Sequence, residues 1–347
     1  MARPSPRVTP FTVITSATVL LLLVSQLWVT GSFFGHASLS VLTPLVGTMV
    51  IVASGQAFVI STGGIDLSIP AQITLVGSII LKQSRQQDSR LLGALLVCLV
   101  ACVVLGLING VLIEVFKLNP LVVTLAVGQL VTGYTYVYRG PVLAYSNVPP
   151  SLAKATGNGV GGISYLLIIS VVVALLATFF LQRVVAGRRL IASSAAPGTA
   201  ALIGMRASGY RILAYVIAAC AYGVGGVLAA GQIGTPDLTL GSPYLLTSVI
   251  AVVLGGAVLT GGRVSPLATL LGAAFVIVLD YDLRVKGLST GTRDIVQGAV
   301  LILALSLGVI GTWFSTLRAR WTSTSSESAG AAVPSSPVPD NAVRERA

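Results

Sequence analysis

The chain is poor in charge, histidine and cysteine, and each scarcity removes a class of function. Charged residues make up 9% of its 347 residues, while 54% are apolar. A soluble domain of this length needs far more charge on its surface. The single histidine, His36, stands in a polar stretch far from any reactive partner in sequence. There is no His-Glu-x-x-His and no glycine-rich loop ending in Gly-Lys-Ser/Thr, and the one Gly-x-Ser-x-Gly, Gly287 to Gly291, falls in a charged polar connection. Zinc and ATP hydrolysis therefore lack the residues that carry them, and a serine nucleophile would have only His36 to serve as its histidine base. No catalytic residue and no metal site is expected. Cys98 and Cys102 lie four apart on one face of an apolar run, and Cys220 is isolated. That spacing suits neither a disulfide framework nor zinc, and the cysteines read as small buried apolar side chains. The net charge of +11 comes from Lys and Arg scattered between apolar runs. This is a membrane-topology pattern, not the clustered face that nucleic acid requires.

Apolar runs and glycine are abundant. The mean hydropathy is +0.93 and there are 38 glycines, the small residues that let membrane helices approach one another. Runs occur at 11–29, 41–60, 70–81, 91–116, 120–138, 163–181, 212–230, 244–259, 265–279 and 295–317. They predict an all-α polytopic membrane protein of about ten transmembrane segments, because helices satisfy their own backbone in lipid. The 70–81 run is short and reads as a half-helix or re-entrant piece. Arg3 and Arg7 before the first run fit a signal peptide. The run's length and the weak cleavage site at Gly35-His36-Ala37 favour an uncleaved first span.

The loop 182–211 holds Arg183, Arg188, Arg189, Arg206 and Arg211 and no acid, so it is expected in the cytoplasm together with both termini. Lys82, Arg85 and Arg90 then fall outside, against that rule. Residues 139–162, which lack a helical period, and 280–294, which are polar, read as outer connections. The domain reading is a cytoplasmic tail over 1–10, a transmembrane domain over 11–317 and a disordered cytoplasmic tail over 318–347, Ser-, Ala- and Pro-rich from Thr322.

The most informative stretch is Val59-Ile60-Ser61-Thr62-Gly63-Gly64-Ile65-Asp66-Leu67-Ser68. An apolar run stops at two glycines and then brings a carboxylate and a hydroxyl to membrane depth. An acid there marks a pathway or a polar junction. Asp66 also suits the cap of a helix starting near Ser68 and Ile69. Thr62-Gly63-Gly64 is echoed by Thr260-Gly261-Gly262, each followed by a Ser and a Pro and then a small-residue apolar helix. Such paired interruptions predict two pseudo-repeated halves around a central site. The pathway and helix-break candidates are Gly63, Gly64, Asp66 and Ser68 in the first half, and Gly255, Gly256, Gly261 and Gly262 in the second. Glu114 and Lys117 read as an interfacial pair, Asn109 as a buried interhelical amide, and Tyr134, Tyr136 and Tyr138 as an interface belt. Ser193 to Gly204 reads as a short Ala-rich helix suited to a partner's groove or to anionic lipid.

These segments together resemble the ribose-type permease family, the membrane subunits of bacterial ABC importers of sugars. The resemblance covers roughly residues 33–311. It rests on Ile60 to Ser68, Leu107-Ile108-Asn109-Gly110 and Asn119-Pro120-Leu121-Val122-Val123-Thr124-Leu125 in the first half. In the second half it rests on Ala200-Ala201 with Gly204, Ile212 to Tyr215, Ala251 to Gly256, Thr260-Gly261-Gly262 and Gly272. It implies import of a monosaccharide or related polyol across the plasma (inner) membrane. The partners it implies are a second permease copy or sister permease, a cytoplasmic ATPase dimer that binds the ATP, and an extracytoplasmic binding protein. The chain itself would hold no cofactor. Ala200, Ala201 and Gly204 would sit in the helix that docks on the ATPase, with Thr199 standing where an acid is usual. Carriage of branched-chain amino acids or nucleosides is the nearest alternative, and an ion-coupled secondary transporter is the alternative from another class.

Overall fold

The computed structural model describes residues 10–28, 33–140, 147–195, 197–202, 205 and 207–306. The expectations for the two tails and for Gly204 lie outside them. The chain divides into a unit Met1–Ala304, which holds the fold, and a unit Leu305–Ala347, of which two residues are described.

The helices are α1 (Pro10–Trp28), α2 (His36–Ser61), α3 (Ile69–Ser84), α4 (Leu91–Glu114), α5 (Pro120–Arg139), α6 (Pro150–Gly157), α7 (Tyr165–Arg183), α8 (Val185–Ala195), α9 (Pro197–Leu202), α10 (Ala207–Ile233), α11 (Tyr244–Leu254) and α12 (Pro266–Val285). Residues 290–306 are also helical. A two-residue ribbon, β1 (Gly159–Val160) with β2 (Ile163–Ser164), is antiparallel and pairs Gly159 with Ser164. Several starts are written locally. Asn119 accepts a hydrogen bond from the Leu121 N–H, Ser164 from that of Leu166 and Ser265 from that of Ala268, and Pro120 and Pro266 open their helices.

Seven of the described helices (α1, α2, α4, α5, α7, α10 and α12) are long and apolar enough to cross a membrane. The fold is an all-α polytopic one. Within the described residues each of the ten apolar runs falls on a helix, but not every one of these helices is long enough to be a span. Helix α3 has 16 residues and α11 has 11, or about 24 and 17 Å, against a hydrocarbon core of about 30 Å.

Helices α2 and α10 form the centre. Burial along α2 is nearly continuous from Leu42 to Ser61, and Tyr222 on α10 donates a hydrogen bond to Gln56 on α2 at 2.7 Å. One apolar cluster joins α3, α4 and α5 to α10, and a second joins α2 to α7, α11 and α12. Helix α1 attaches to α12, where the Ser25 hydroxyl donates to buried Asp282 at 2.5 Å.

Three sequence expectations change. The 139–162 connection contains α6, which Pro149 and Pro150 start and which is too short to display a period. The 280–294 connection does not begin until Lys286, because α12 continues through Asp280, Asp282 and Arg284. Those charges are tolerated on the helix because Arg284 and Arg293 pair with Asp280 at 3.1 and 2.8 Å and Asp282 binds Ser25. His36 is the first residue of α2 and not part of a loop.

Close helix approach makes a test of the packing. A β-carbon at Gly106 on α4 would stand 2.6 Å from the Val216 Cα of α10, whereas one at Gly93 would meet nothing within 4 Å. Gly106→Leu is expected to destabilise the protein by about 1–3 kcal/mol or more, as overpacking does, and Gly93→Leu to leave it unchanged. Thermal unfolding of both variants in detergent checks this.

Candidate functional site

The glycine-rich segments predicted from sequence meet in space. At the end of α2, the Gly63 N–H binds the Ile60 carbonyl at 2.9 Å and the Gly64 N–H reaches the Val59 carbonyl at 3.4 Å. Gly63 has φ +85°. This is a Schellman closure, whose turn residue must be left-handed and is therefore usually glycine. Helix α11 ends the same way. The Gly256 N–H binds Val253, the Ala257 N–H reaches Val252, and φ at Gly256 is +84°. The counterpart of Gly63 is therefore Gly256, and the apolar run expected to reach 259 stops at Leu254.

Thr260-Gly261-Gly262 has a different task. It packs backbone to backbone on the first turn. The Gly262 N–H donates to the Ser61 carbonyl at 3.0 Å. A β-carbon on Gly261 would lie 2.9 Å from the Gly63 nitrogen, and one on Gly63 would lie 3.1 Å from the Thr260 carbonyl oxygen. Gly64 is buried against the Tyr215 hydroxyl and Pro120, and Gly255 against the backbone of Ala268 and Thr269. All six predicted glycines thus lie at this junction or at the two helix ends feeding it.

Asp66 and Ser68 are brought together but are not open to solvent; they are 1% and 0% exposed. Asp66 Oδ1 accepts from the Ser68 N–H at 2.8 Å and from the Ser68 hydroxyl at 2.5 Å. Ser68 is the residue that opens α3, so the carboxylate fixes the start of that helix through an Asx-type turn. The Ser68 hydroxyl in turn accepts from the Gln72 amide at 2.8 Å and the Asn109 amide at 3.1 Å. One hydroxyl therefore ties the helix break to α3 and α4. Asn109 is the interhelical amide its sequence context suggested. Thr124 on α5 completes the clamp, accepting from the Leu67 N–H at 3.0 Å and donating to the Ile65 carbonyl at 3.2 Å.

A cavity of about 200 Å³ lies beside the first turn, lined by Thr62, Glu114, Lys117, Arg211 and Tyr215 among others. Glu114 pairs with Lys117 at 3.6 Å, as its spacing suggested, and also with Arg211 at 3.4 Å. Arg211 additionally donates to the Ser193 carbonyl at 2.9 Å. Ala195, the last residue of α8, lies against Gly262. The 182–211 segment thus touches both the ion cluster and the glycine junction.

Of the residues assigned to partner docking, Thr199, Ala200 and Ala201 lie on α9, with Ala200 buried. Gly204 lies outside the described residues. The expected Ala-rich helix corresponds to the end of α8 and all of α9, with Ala196 between them outside the described residues. Sequence reasoning missed Gln72 and Tyr215. The i+4 spacing of Gln72 from Ser68 was a usable signal, while Tyr215 is distant in sequence and reaches Gly64 only through the fold. The tyrosine belt has the expected exposure at Tyr134 and Tyr136, but Lys82 sits over the Tyr138 ring at 4.3 Å and Arg139 turns inward to the Pro236 carbonyl.

Residues 38–305 match the family model described as branched-chain amino acid transport system / permease component. The chain is 30% identical to the ribose import permease protein of Bacillus subtilis over 74% of its length and 80% of the relative's. It is 28% identical to the fructose import permease protein of Rhizobium meliloti, covering 87% of the chain and 85% of the relative. It is 26% identical to the galactose/methyl galactoside import permease protein of Escherichia coli, covering 83% and 91%. No solved structure matches the chain.

The Asp66 turn gives a prediction that separates shape from charge. Asp66→Asn keeps an acceptor for the Ser68 N–H and is expected to fold with little loss. Asp66→Ala removes the acceptor and is expected to cost about 1–2 kcal/mol, the usual penalty for a lost turn or cap acceptor. Comparing the detergent melting temperatures of the two variants checks it.

Proposed function

Because the chain belongs to the branched-chain amino acid transport system / permease component family, we propose that it is the membrane-embedded permease subunit of an ABC importer and that its cargo is a monosaccharide or related polyol. The observation that carries the sugar reading is the similarity, along most of the chain, to permeases named for ribose, fructose and galactose. The chemistry agrees, since a membrane domain with so few charges suits a neutral solute.

The chain works without a cofactor of its own, and ATP is held by a partner ATPase dimer. A second permease copy or a sister chain completes the pathway, and an extracytoplasmic binding protein delivers the sugar. The protein is a multi-pass inner-membrane protein with both termini and the 182–211 loop in the cytoplasm. Helix α9, with Thr199, Ala200 and Ala201, and Gly204 beyond it, contacts the ATPase. Closure of the ATPase dimer displaces α9 and α8 together. The displacement has two direct routes inward: Ala195 against Gly262, and the Ser193 carbonyl held by Arg211, which also pairs with Glu114. The first ends at the glycine junction and the second at the ion cluster beside the first turn, so the halves on either side can rock and open the pathway to alternate sides.

An ion-coupled carrier is disfavoured. It needs intramembrane ion ligands in both halves, and the second-half acids on α12 are already engaged, Asp280 by Arg284 and Arg293 and Asp282 by Ser25.

Purification of the tagged chain in mild detergent, with bound proteins identified by mass, tests the proposal. A stoichiometric ATPase is expected, and a chain recovered alone that transports without ATP would contradict it. In the assembled complex, replacing Leu202, the exposed last residue of α9, by Asp is expected to leave the fold intact and reduce ATP-driven uptake at least tenfold. Unchanged uptake would remove α9 from the docking surface.

A further inference from the structure

The lipid-facing sides of α4 and α7 set a standard. Between their first and last turns, every exposed side chain on them is aliphatic or aromatic. Helix α5 departs from it and is the least apolar of the seven candidate spans. Gln129, midway along α5, is exposed, and Gln129, Thr132, Gly133 and Tyr136 recur at helical spacing on one face. Hydrocarbon has no partner for an amide, so this face meets water or protein.

A second departure lies alongside. Residues 234–243 form neither helix nor strand, yet they run down α3 from Gly77, where Pro236 packs, to Thr74, whose hydroxyl accepts from the Gly241 N–H at 3.1 Å. Gly241 then lies on the backbone of Pro70, about 10 Å along α3 from Gly77. Irregular backbone at such depth persists where it is buried in protein or lines a water-filled cavity. Asp237, Thr239 and Ser242 on this segment are exposed, which selects the second case.

Between the segment and α5 is a groove of about 180 Å³, lined by Thr74, Thr132, Thr135, Tyr136, Thr239 and Ser242 together with Pro70, Ala71 and Leu238. No charged residue lines it. Hydroxyls both donate and accept, as do the hydroxyls of a sugar, and Tyr136 adds a ring face.

We propose that this groove is where the permease touches its cargo: the 234–243 segment, the first half of α3 and the Gln129–Tyr136 stripe of α5 line the water-filled pathway and hydrogen-bond a neutral polyhydroxylated solute. The ligand, though not the access to water, rests on the sugar-permease reading. The Asp66–Ser68 turn then acquires a concrete role, because it sets the start of α3 and so the position of Pro70 to Thr74 in the wall.

Single-cysteine variants test the groove in the complete complex in membrane vesicles. The probe is a charged, membrane-impermeant methanethiosulfonate reagent. The wild-type chain, with Cys98 and Cys102 buried and Cys220 partly so, supplies the baseline. Gln129→Cys and Thr239→Cys are expected to react at least tenfold faster than Leu176→Cys on the exposed side of α7. A mixture of ribose, galactose and fructose at saturating concentration is expected to slow both reactions severalfold, and Gln129→Leu to slow uptake of whichever of the three is carried by about fivefold, as loss of one neutral hydrogen bond does. Labelling of Gln129→Cys no faster than Leu176→Cys would overturn the proposal. So would labelling that appears only after detergent separates the permease copies, which would make the stripe a subunit contact. Fast labelling without protection by any of the three sugars would leave the groove as a water path and overturn its role as their contact surface. Recovery of the ATPase in the same preparation shows separately whether the importer reading stands.

Discussion

The fold depends on the place where two chain turns cross without side chains between them. Helices α2 and α11 each end with carbonyls that have no partner within the helix. Each closes on itself through a left-handed glycine, Gly63 and Gly256. The chain after α11 then lays Gly261 and Gly262 against the first closure, so that the Ser61 carbonyl receives the Gly262 N–H. A β-carbon on either side would force the turns apart. The glycine content at this point is a packing requirement, and the starts of both α3 and α12 are positioned by it.

Polar groups inside the domain divide by what satisfies them. Asp66, Ser68, Gln72 and Asn109 answer one another in the packed interior, where they fix α3 to α4 and to the helix break. Glu114 and Arg211 answer one another at the opposite edge of the first turn and reach the 182–211 segment. On the exposed side, the Thr239 hydroxyl donates only to its neighbour Asp237 at 2.9 Å, and the Gln129 amide and Ser242 hydroxyl have no such internal answer among the described residues. The first two groups hold the architecture, and the third faces what passes through or beside it. The signature carboxylate is spent on the helix break, where it fixes the start of α3 through Ser68.

Much of this was legible in the sequence, and the failures have physical causes. Apolar runs located the helices because a membrane helix must be apolar along its length. They marked α3 and α11 as well, which are shorter than a span and are apolar because they are largely buried in protein. The Thr-Gly-Gly echo marked two segments that meet in space, but it is Gly256 that closes the second helix, a distinction that lies in φ angles and hydrogen bonds. Asn109 and the Glu114–Lys117 pair were readable because their partners or their burial follow from local spacing. Tyr215 on Gly64, Arg211 on Glu114 and the depth of the 234–243 segment were not, since each contact joins residues far apart in the chain. Helix α6 was missed because eight residues display too little of a period.

The most direct test of the central claim, that this chain forms the pathway of an ATP-driven sugar importer, is accumulation of labelled sugar in proteoliposomes. The vesicles would contain the chain with its co-purified ATPase and binding protein and be offered ribose, galactose or fructose. The account predicts ATP-dependent uptake of at least one of these against its gradient, abolished when the ATPase is omitted. An intact complex that hydrolyses ATP yet accumulates none of them, or vesicles that accumulate sugar without ATP, would contradict it.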